Sequence, residues 1–258
     1  MSVIFAFILG LVQGLTEFLP VSSSGHLVLL QNIFGIKNNV VLFDIILHIG
    51  TLIAVIIVYR KSIIDLIKHP FSKKMKLLVL GTIPTVVIAL VFKDFFESAF
   101  SGSLLFIGFL STALLLIIAN YVDSKTKNNK TIDYKNLLVM GVFQGLAIMP
   151  GLSRSGSTTT SAIVMGIKKD EALEYSFLLS IPIILASLIY EIIFSPISFA
   201  EISFLTIIIG FITSLIFGLI SIKFMIKIVK KRTYIFFSAY LILLSVFLIL
   251  NQFVLHLF

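Results

Sequence analysis

The chain has 258 residues, 59% of them apolar and only 12% charged, with a mean hydropathy of +1.14. That composition excludes a soluble domain of ordinary make-up and leaves an all-α polytopic membrane protein. The net charge of +8 does not point to nucleic acid, because the basic residues sit in short runs between apolar blocks, as membrane-protein loops do. Cysteine is absent, so disulfides and thiolate metal sites are excluded.

The first apolar stretch, Val3 to Phe34, is broken by Pro20 and the run Ser22, Ser23, Ser24, Gly25. No Lys or Arg precedes Lys37, so the stretch lacks the basic flank of a cleaved signal peptide and is expected to persist. Its second arm has about a dozen residues, too few to cross about 30 Å of hydrocarbon at 1.5 Å per residue. A re-entrant helix-loop-helix hairpin is predicted. Gln13 and Glu17 stand four apart on one helix face. A carboxylate near the inner end of an apolar helix is costly unless it is used, and binding a divalent cation or acting as a general base are the roles open to Glu17. The three serines either cap the second arm or join a site. His26, one turn further on, is a candidate for proton transfer or phosphate contact.

Spanning helices are predicted near Val40 to Tyr59, Leu77 to Phe92 and Leu104 to Val122. Asp44 and His48 form another four-apart pair, either a local hydrogen bond or a share in the site. Ser124 to Lys130 reads as a mobile connection. A second broken stretch, Asn136 to Ile167, carries PGLSRSGSTTTS from Pro150 to Ser161. An arginine at membrane depth costs roughly 2.5 to 3.5 kcal/mol, so Arg154 is expected to have an anionic partner. Ser153, Ser155, Ser157, Thr158, Thr159, Thr160 and Ser161 surround it. The arm beginning near Ser155 presents free backbone N–H groups and a positive helix end, and the guanidinium supplies a planar fork suited to phosphate. A polar hinge or a hydrogen-bonded helix seam is the alternative. Lys168 to Glu171 reads as a solvated boundary. Three further spans follow near Tyr175 to Phe194, Ile202 to Ile222 and Tyr234 to Val254. Lys227 to Arg232 reads as a cytoplasmic edge, and the small-residue face from Gly210 to Gly218 would permit helix pairing and a homodimer.

Charge distribution favours hairpins over kinked spans. If both broken stretches are re-entrant, every basic residue except Lys37, Lys93 and Arg154 falls on one side of the membrane. If each crosses once, the loop charges divide almost evenly. The positive-inside rule therefore predicts re-entrant hairpins with both termini outside. GLVQGLTEFLPVSSSG (Gly10 to Gly25) also matches GVFQGLAIMPGLSRSG (Gly141 to Gly156). The expected architecture is a single integral membrane domain, 1–258, of two repeats at about 1–122 and 135–258. Each repeat has one hairpin plus three spans, and an odd number of spans mounts the second repeat upside down. Inverted repeats with broken helices place their loops near the midplane, where irregular backbone must be buried or line a polar cavity.

QGLTEFLPVSSSGH and PGLSRSGSTTTS together resemble the two signature regions of the bacterial undecaprenyl-diphosphate phosphatases, the bacitracin-resistance family (UppP or BacA), and the resemblance extends along the whole chain. It implies removal of the terminal phosphate from a C55 isoprenoid diphosphate, regenerating the monophosphate carrier of peptidoglycan synthesis. It also implies an outward-facing site in the bacterial cytoplasmic membrane, with a polyprenyl diphosphate and membrane lipids as partners. The family's acidic motif maps onto Gln13 and Glu17, with Gln13 where many members have a second glutamate. Its histidine maps onto His26, its serines onto Ser22, Ser23 and Ser153, its arginine onto Arg154 and its threonine onto Thr158. A divalent cation, Mg²⁺ or Ca²⁺, is implied near Glu17. The expected chemistry is phosphoryl transfer by positioning and charge neutralisation, the attacking group being Ser23, with His26 or Glu17 taking its proton, or an activated water. A lipid-phosphate flippase using the same anion site is the alternative.

Overall fold

The computed structural model describes residues 2–36, 40–125, 129–194, 203–231 and 234–257; Lys37, Lys127 and Arg232 of the charge count and Ile202 of a predicted span lie outside them. The described residues form twelve α-helices: α1 Val3–Phe18, α2 Ser23–Ile33, α3 Val40–Val58, α4 Arg60–Lys68, α5 Lys73–Val91, α6 Lys93–Ala99, α7 Leu105–Lys125, α8 Tyr134–Leu146, α9 Arg154–Val164, α10 Lys169–Phe194, α11 Phe204–Lys231 and α12 Tyr234–Leu250. A π-helical turn, Asn251–Leu255, follows α12.

Five helices, α5, α7, α10, α11 and α12 with its π turn, are long and apolar enough to span a membrane. A sixth span results if α3 is joined to α4, which is bent 79° away from it. The chain is a multi-pass membrane protein. α1, α2, α8 and α9 have 16, 11, 13 and 11 residues, and at 1.5 Å per residue none reaches about 30 Å. They pack as two helix pairs, α1 with α2 and α8 with α9. Pro20 explains where α1 stops, since the residue before a proline avoids the helical region, and Leu19 is already extended at ψ 151°. α8 starts from a capping box, Asp133 and Asn136 each accepting from the other's backbone N–H.

The two pairs are not packed each on its own neighbours. α1 lies most extensively on α11, the middle of the last three long helices, while α8 lies most extensively on α5, the middle of the first three. α7 and α12 close the assembly against each other. The α1–α11 crossing is tight because glycines meet there: a Cβ on Gly10 would lie 2.7 Å from the Gly210 carbonyl oxygen, and one on Gly14 would lie 2.9 Å from Gly218 N. The Gly210 to Gly218 face expected to permit a homodimer is therefore spent inside the chain. Close backbone approach between membrane helices needs small residues, and α1 supplies the other side of that contact.

Two further expectations are corrected. Within the boundary Lys168 to Glu171, only part is solvated: Lys169 donates to Asp123 at 2.7 Å and to the Val229 carbonyl at 3.1 Å. Asp123 is 0% exposed, and a buried carboxylate needs a partner, so α10 begins early enough to bring one. Glu171 accepts from Ile132 N at 2.9 Å. In the connection Ser124 to Lys130, residues 126–128 lie outside the described set, but Lys130 is fixed by backbone bonds to Gly166 and Lys168 in an isolated parallel bridge.

Candidate functional site

Each helix pair turns through a serine-capped elbow. At the first, Ser22 Oγ accepts from Gly25 N at 3.4 Å; at the second, Ser153 Oγ accepts from Gly156 N at 3.0 Å. These are N-caps of α2 and α9, which satisfy backbone donors left free at a helix start. Ser22 holds φ at +69°, a conformation uncommon outside glycine. The two elbows bond to each other reciprocally: Gly151 N donates to Ser22 Oγ at 3.1 Å, and Ser155 Oγ donates to the Leu19 carbonyl at 3.1 Å. Their backbones approach so closely that a Cβ on Gly25 would lie 2.7 Å from Gly151 N. Gly151 itself has φ +88°, where a side chain is strained. Thr112 of α7 clamps the second elbow, accepting from Ser153 N and donating to the Gly151 carbonyl, each at 2.9 Å.

The meeting of elbows brings charges of opposite sign together. Arg154 Nη2 donates to Glu17 Oε1. Glu17 Oε2 accepts from Ser23 Oγ at 2.5 Å and from Gln13 Nε2 at 3.0 Å. Glu17 is 6% exposed and Gln13 0%. The Arg154 carbonyl starts the side-chain bonds of α9, accepting from Thr158 Oγ1 at 2.8 Å. Not every polar atom here is used: Arg154 Nη1 and Gln13 Oε1 are buried without a hydrogen-bond partner, as are Ser157 Oγ and Thr159 Oγ1 further along α9. Buried polar atoms are rarely left so, and an ion pair taken out of water repays its desolvation only when its remaining valences are met. The unspent donors on α9 and the unspent acceptor on α1 together suit an anion with an associated cation.

Other candidate residues sit differently. His26 lies against the Phe109 ring with centroids 5.2 Å apart. Its Nδ1 donates to the Ser22 carbonyl at 2.7 Å, which leaves Nε2 to accept from Tyr240 Oη at 2.7 Å. Neither ring nitrogen bonds to Glu17 or Arg154. Thr158 turns its hydroxyl back to its own helix and to Ser176 of α10 at 2.5 Å. Tyr240, Ser176 and Thr112 were not singled out by sequence, because each is one of several scattered hydroxyl residues in a largely apolar helix with no motif around it. His48, whose role sequence left open, donates from Nδ1 to the Asp44 backbone carbonyl at 2.8 Å, and its Nε2 lies 4.0 Å from Glu17 Oε2. Asp44 accepts twice from Gln31 Nε2, at 2.9 and 3.1 Å.

Among the described residues no three His, Cys, Asp or Glu side chains converge as a metal cluster. Mg²⁺, however, is commonly held by one or two protein oxygens with waters and substrate phosphates filling the rest. Glu17 and the unpartnered Gln13 Oε1 fit that demand, one carboxylate and one amide oxygen beside an anion-binding arginine.

The sequence as a whole has relatives that match it over nearly their full length. A protein of Carboxydothermus hydrogenoformans named undecaprenyl-diphosphatase is 45% identical over 251 residues, 96% of each chain. Undecaprenyl-diphosphatase 3 of Bacillus cereus is 43% identical over 251 residues, again 96% of each. An undecaprenyl-diphosphatase of Methanosphaera stadtmanae is 37% identical, covering 99% of this chain and all of its own. The family described as bacitracin resistance protein BacA matches residues 6–247, a range that takes in both elbows and all the long helices but the end of α12, and the chain belongs to that family.

Proposed function

We propose that this chain is a membrane hydrolase that splits undecaprenyl diphosphate into undecaprenyl phosphate and inorganic phosphate, recycling the lipid carrier of peptidoglycan synthesis and thereby conferring bacitracin resistance. The observation that carries the reading is the junction of the elbows, where Glu17 of one receives both Arg154 of the other and Ser23. Names borne by relatives at 37 to 45% identity over nearly full length point the same way.

Arg154 and the N-terminus of α9 hold the diphosphate and stabilise the charge that spreads over the transferred group. Ser22, Ser153 and Ser155 keep the two turns in register around it, and Thr158 holds the first turn of α9. A diphosphate draws the guanidinium away from Glu17, leaving that carboxylate to take the Ser23 proton across the 2.5 Å hydrogen bond. Ser23 Oγ then attacks the terminal phosphorus, the bridging P–O bond breaks, and the lipid monophosphate leaves. Water hydrolyses the phosphoserine, returning the serine and releasing phosphate. Direct attack by water activated at Glu17 is the competing route. His26, bonded to the Ser22 carbonyl and to Tyr240, steadies the start of α2. A bound Mg²⁺ or Ca²⁺, held by Glu17 and Gln13, would neutralise phosphate charge as a Lewis acid.

The site belongs to the outer side of the bacterial cytoplasmic membrane, with both termini outside. What supports this is the one-sided basic loops of the hairpin arrangement and the crossed packing of α1 on α11 and α8 on α5, which suits oppositely mounted halves. Any homodimer would use a face other than the glycine face of α11.

Detergent-solubilised protein should release inorganic phosphate from undecaprenyl or farnesyl diphosphate, and rapid quenching with labelled substrate should leave phosphate on Ser23. Lipid translocation in proteoliposomes with no phosphate release would establish the flippase instead. Turnover with no trapped phosphoserine would establish the water route.

A further inference from the structure

We propose that α4 is an interfacial helix that binds anionic phospholipid, with Ile64, Ile67 and Phe71 entering the acyl layer while Lys61 and Lys68 hold the phosphate headgroups. The surface is separate from the elbows, and only its assignment to the cytoplasmic leaflet rests on the orientation proposed above.

α4 leaves the spanning direction abruptly. It is bent 79° from α3, so a helix that follows an upright span comes to lie near the membrane plane. Two contacts with the protein fix its rotation about its own axis. Leu66 is 7% exposed, and Ser62 Oγ donates to Glu174 Oε1 of α10 at 2.6 Å. Ser62 and Leu66 stand four apart and share the inward face.

That rotation turns an apolar stripe away from the protein. Ile64 and Ile67, three apart on one face, are 49% and 71% exposed, and Phe71, just beyond the helix end, is 85% exposed. Arg60, four residues before Ile64, continues the stripe, and Lys61 and Lys68, seven apart, form the edge beside it; all three are exposed. An apolar stripe bordered by basic residues is the pattern of helices that lie about 5 to 10 Å into the boundary between headgroups and acyl chains. Lysine stems run along such a boundary and carry their charge out to the phosphates.

Charge selects the lipid. Lys168, Lys169 and Lys230 are paired with Glu171, Asp123 and Asp170, and Lys74 with Glu174. Lys61 and Lys68, with Lys73 and Lys76 at the start of α5, form no ion pair among the described residues. The single acid on α4, Asp65, is taken by His69 at 3.1 Å. A second copy of the chain on this surface would set like charges against each other, and a zwitterionic headgroup brings no net charge to meet them. An anionic headgroup answers both the lysines and the apolar stripe.

The test is fluorescence quenching in vesicles that hold the reconstituted chain. The sequence has no tryptophan, so Phe71→Trp supplies a single probe at an exposed position. Phosphatidylglycerol with brominated acyl chains should quench it more than brominated phosphatidylcholine does, by a preference of about fivefold, the worth of one basic residue beside an anionic surface. Lys61→Gln, Lys68→Gln and Lys73→Gln together should bring the preference close to one. Phe204→Trp is the control: Phe204 is 76% exposed, and no Lys or Arg lies between Lys169 and Lys223, so this probe should show no preference for phosphatidylglycerol. Phosphate release should be unchanged in all these variants, because none touches the elbows. Equal quenching of Phe71→Trp by the two lipids, quenching by neither, or a preference that survives loss of the three lysines overturns the inference and leaves the phosphatase reading intact.

Discussion

The two elbows are one piece of local structure used twice and given different chemistry. Ser22 and Ser153 cap the same backbone position, and the hydroxyl pairs Ser22 with Ser24 and Ser153 with Ser155 are both 3.3 Å apart. Gln13 and Gln144 occupy matching places, each with an unpartnered Oε1. The differences that exchange charged or titratable side chains fall on three positions: Glu17 corresponds to Ile148, Ser23 to Arg154, and His26 to Ser157. The first elbow thus holds the carboxylate and the Ser23 hydroxyl, the second holds the guanidinium, and the three meet only where the elbows join. Interlocked packing of the halves is what lets the division work, because the acid and the guanidinium must arrive from opposite elbows.

The largest effect should come from removing that division. Arg154→Ala should lower kcat/KM for phosphate release about a thousandfold, as loss of a principal charge-stabilising donor does. It should also destabilise the protein by about 3 kcal/mol by removing the guanidinium that faces the buried Glu17 carboxylate. Exchanging the matching residues, Ser23→Arg with Arg154→Ser, should recover much of the melting temperature, since an arginine again neighbours Glu17, and recover none of the turnover. Restored activity in the exchanged protein would mean that the elbows are chemically interchangeable.

The glycines give an intermediate effect that also separates the elbows. Gly25→Ala places a Cβ 2.7 Å from Gly151 N and from the Phe109 ring, forcing the elbows apart. Activity should fall about a hundredfold, the cost of misplacing reacting groups by an ångström. At the matching position, Gly156→Ala meets Ser153 Oγ at 3.0 Å and Pro20 Cβ at 3.2 Å, so a few tenths of an ångström of give should limit the loss to a few-fold. Equal losses would show that the close approach is not centred on Gly25 and Gly151.

Much of this was readable in the sequence because membrane insertion makes polar residues expensive. Arg154, Glu17 and the serine-glycine breaks stand out against apolar helices, and the matched motifs showed where equivalent turns must lie. The six spanning blocks correspond to α3, α5, α7, α10, α11 and α12 within a few residues at most ends. What escaped was anything decided by tertiary contact. Periodicity could not show that Lys169 turns inward to Asp123, since a charge in a boundary run looks solvated until its partner is known. Nor could it show that the Gly210 to Gly218 face meets α1 within the chain, or that Tyr240, 214 residues away, takes the outer nitrogen of His26. His48 was legible as half of a helical pair, but its neighbour Glu17 belongs to another helix.

Two smaller effects refine the contrast between His26 and Ser157. Tyr240→Phe removes a hydrogen bond to His26 of about 1 kcal/mol, and turnover should fall about fivefold with KM unchanged. Unchanged turnover would confine His26 to packing. Ser153→Ala removes a helix cap worth about 1 kcal/mol, which should lower the melting temperature by about 2 to 4 °C.

The most direct measurement is a double-mutant cycle on phosphate release by purified protein, using Glu17→Ala, Arg154→Ala and the double variant. Residues that work as one unit lose function together, so the double variant should be no slower than the worse single one. Losses that multiply, or a single variant turning over near the normal rate, would contradict a shared site built between the elbows.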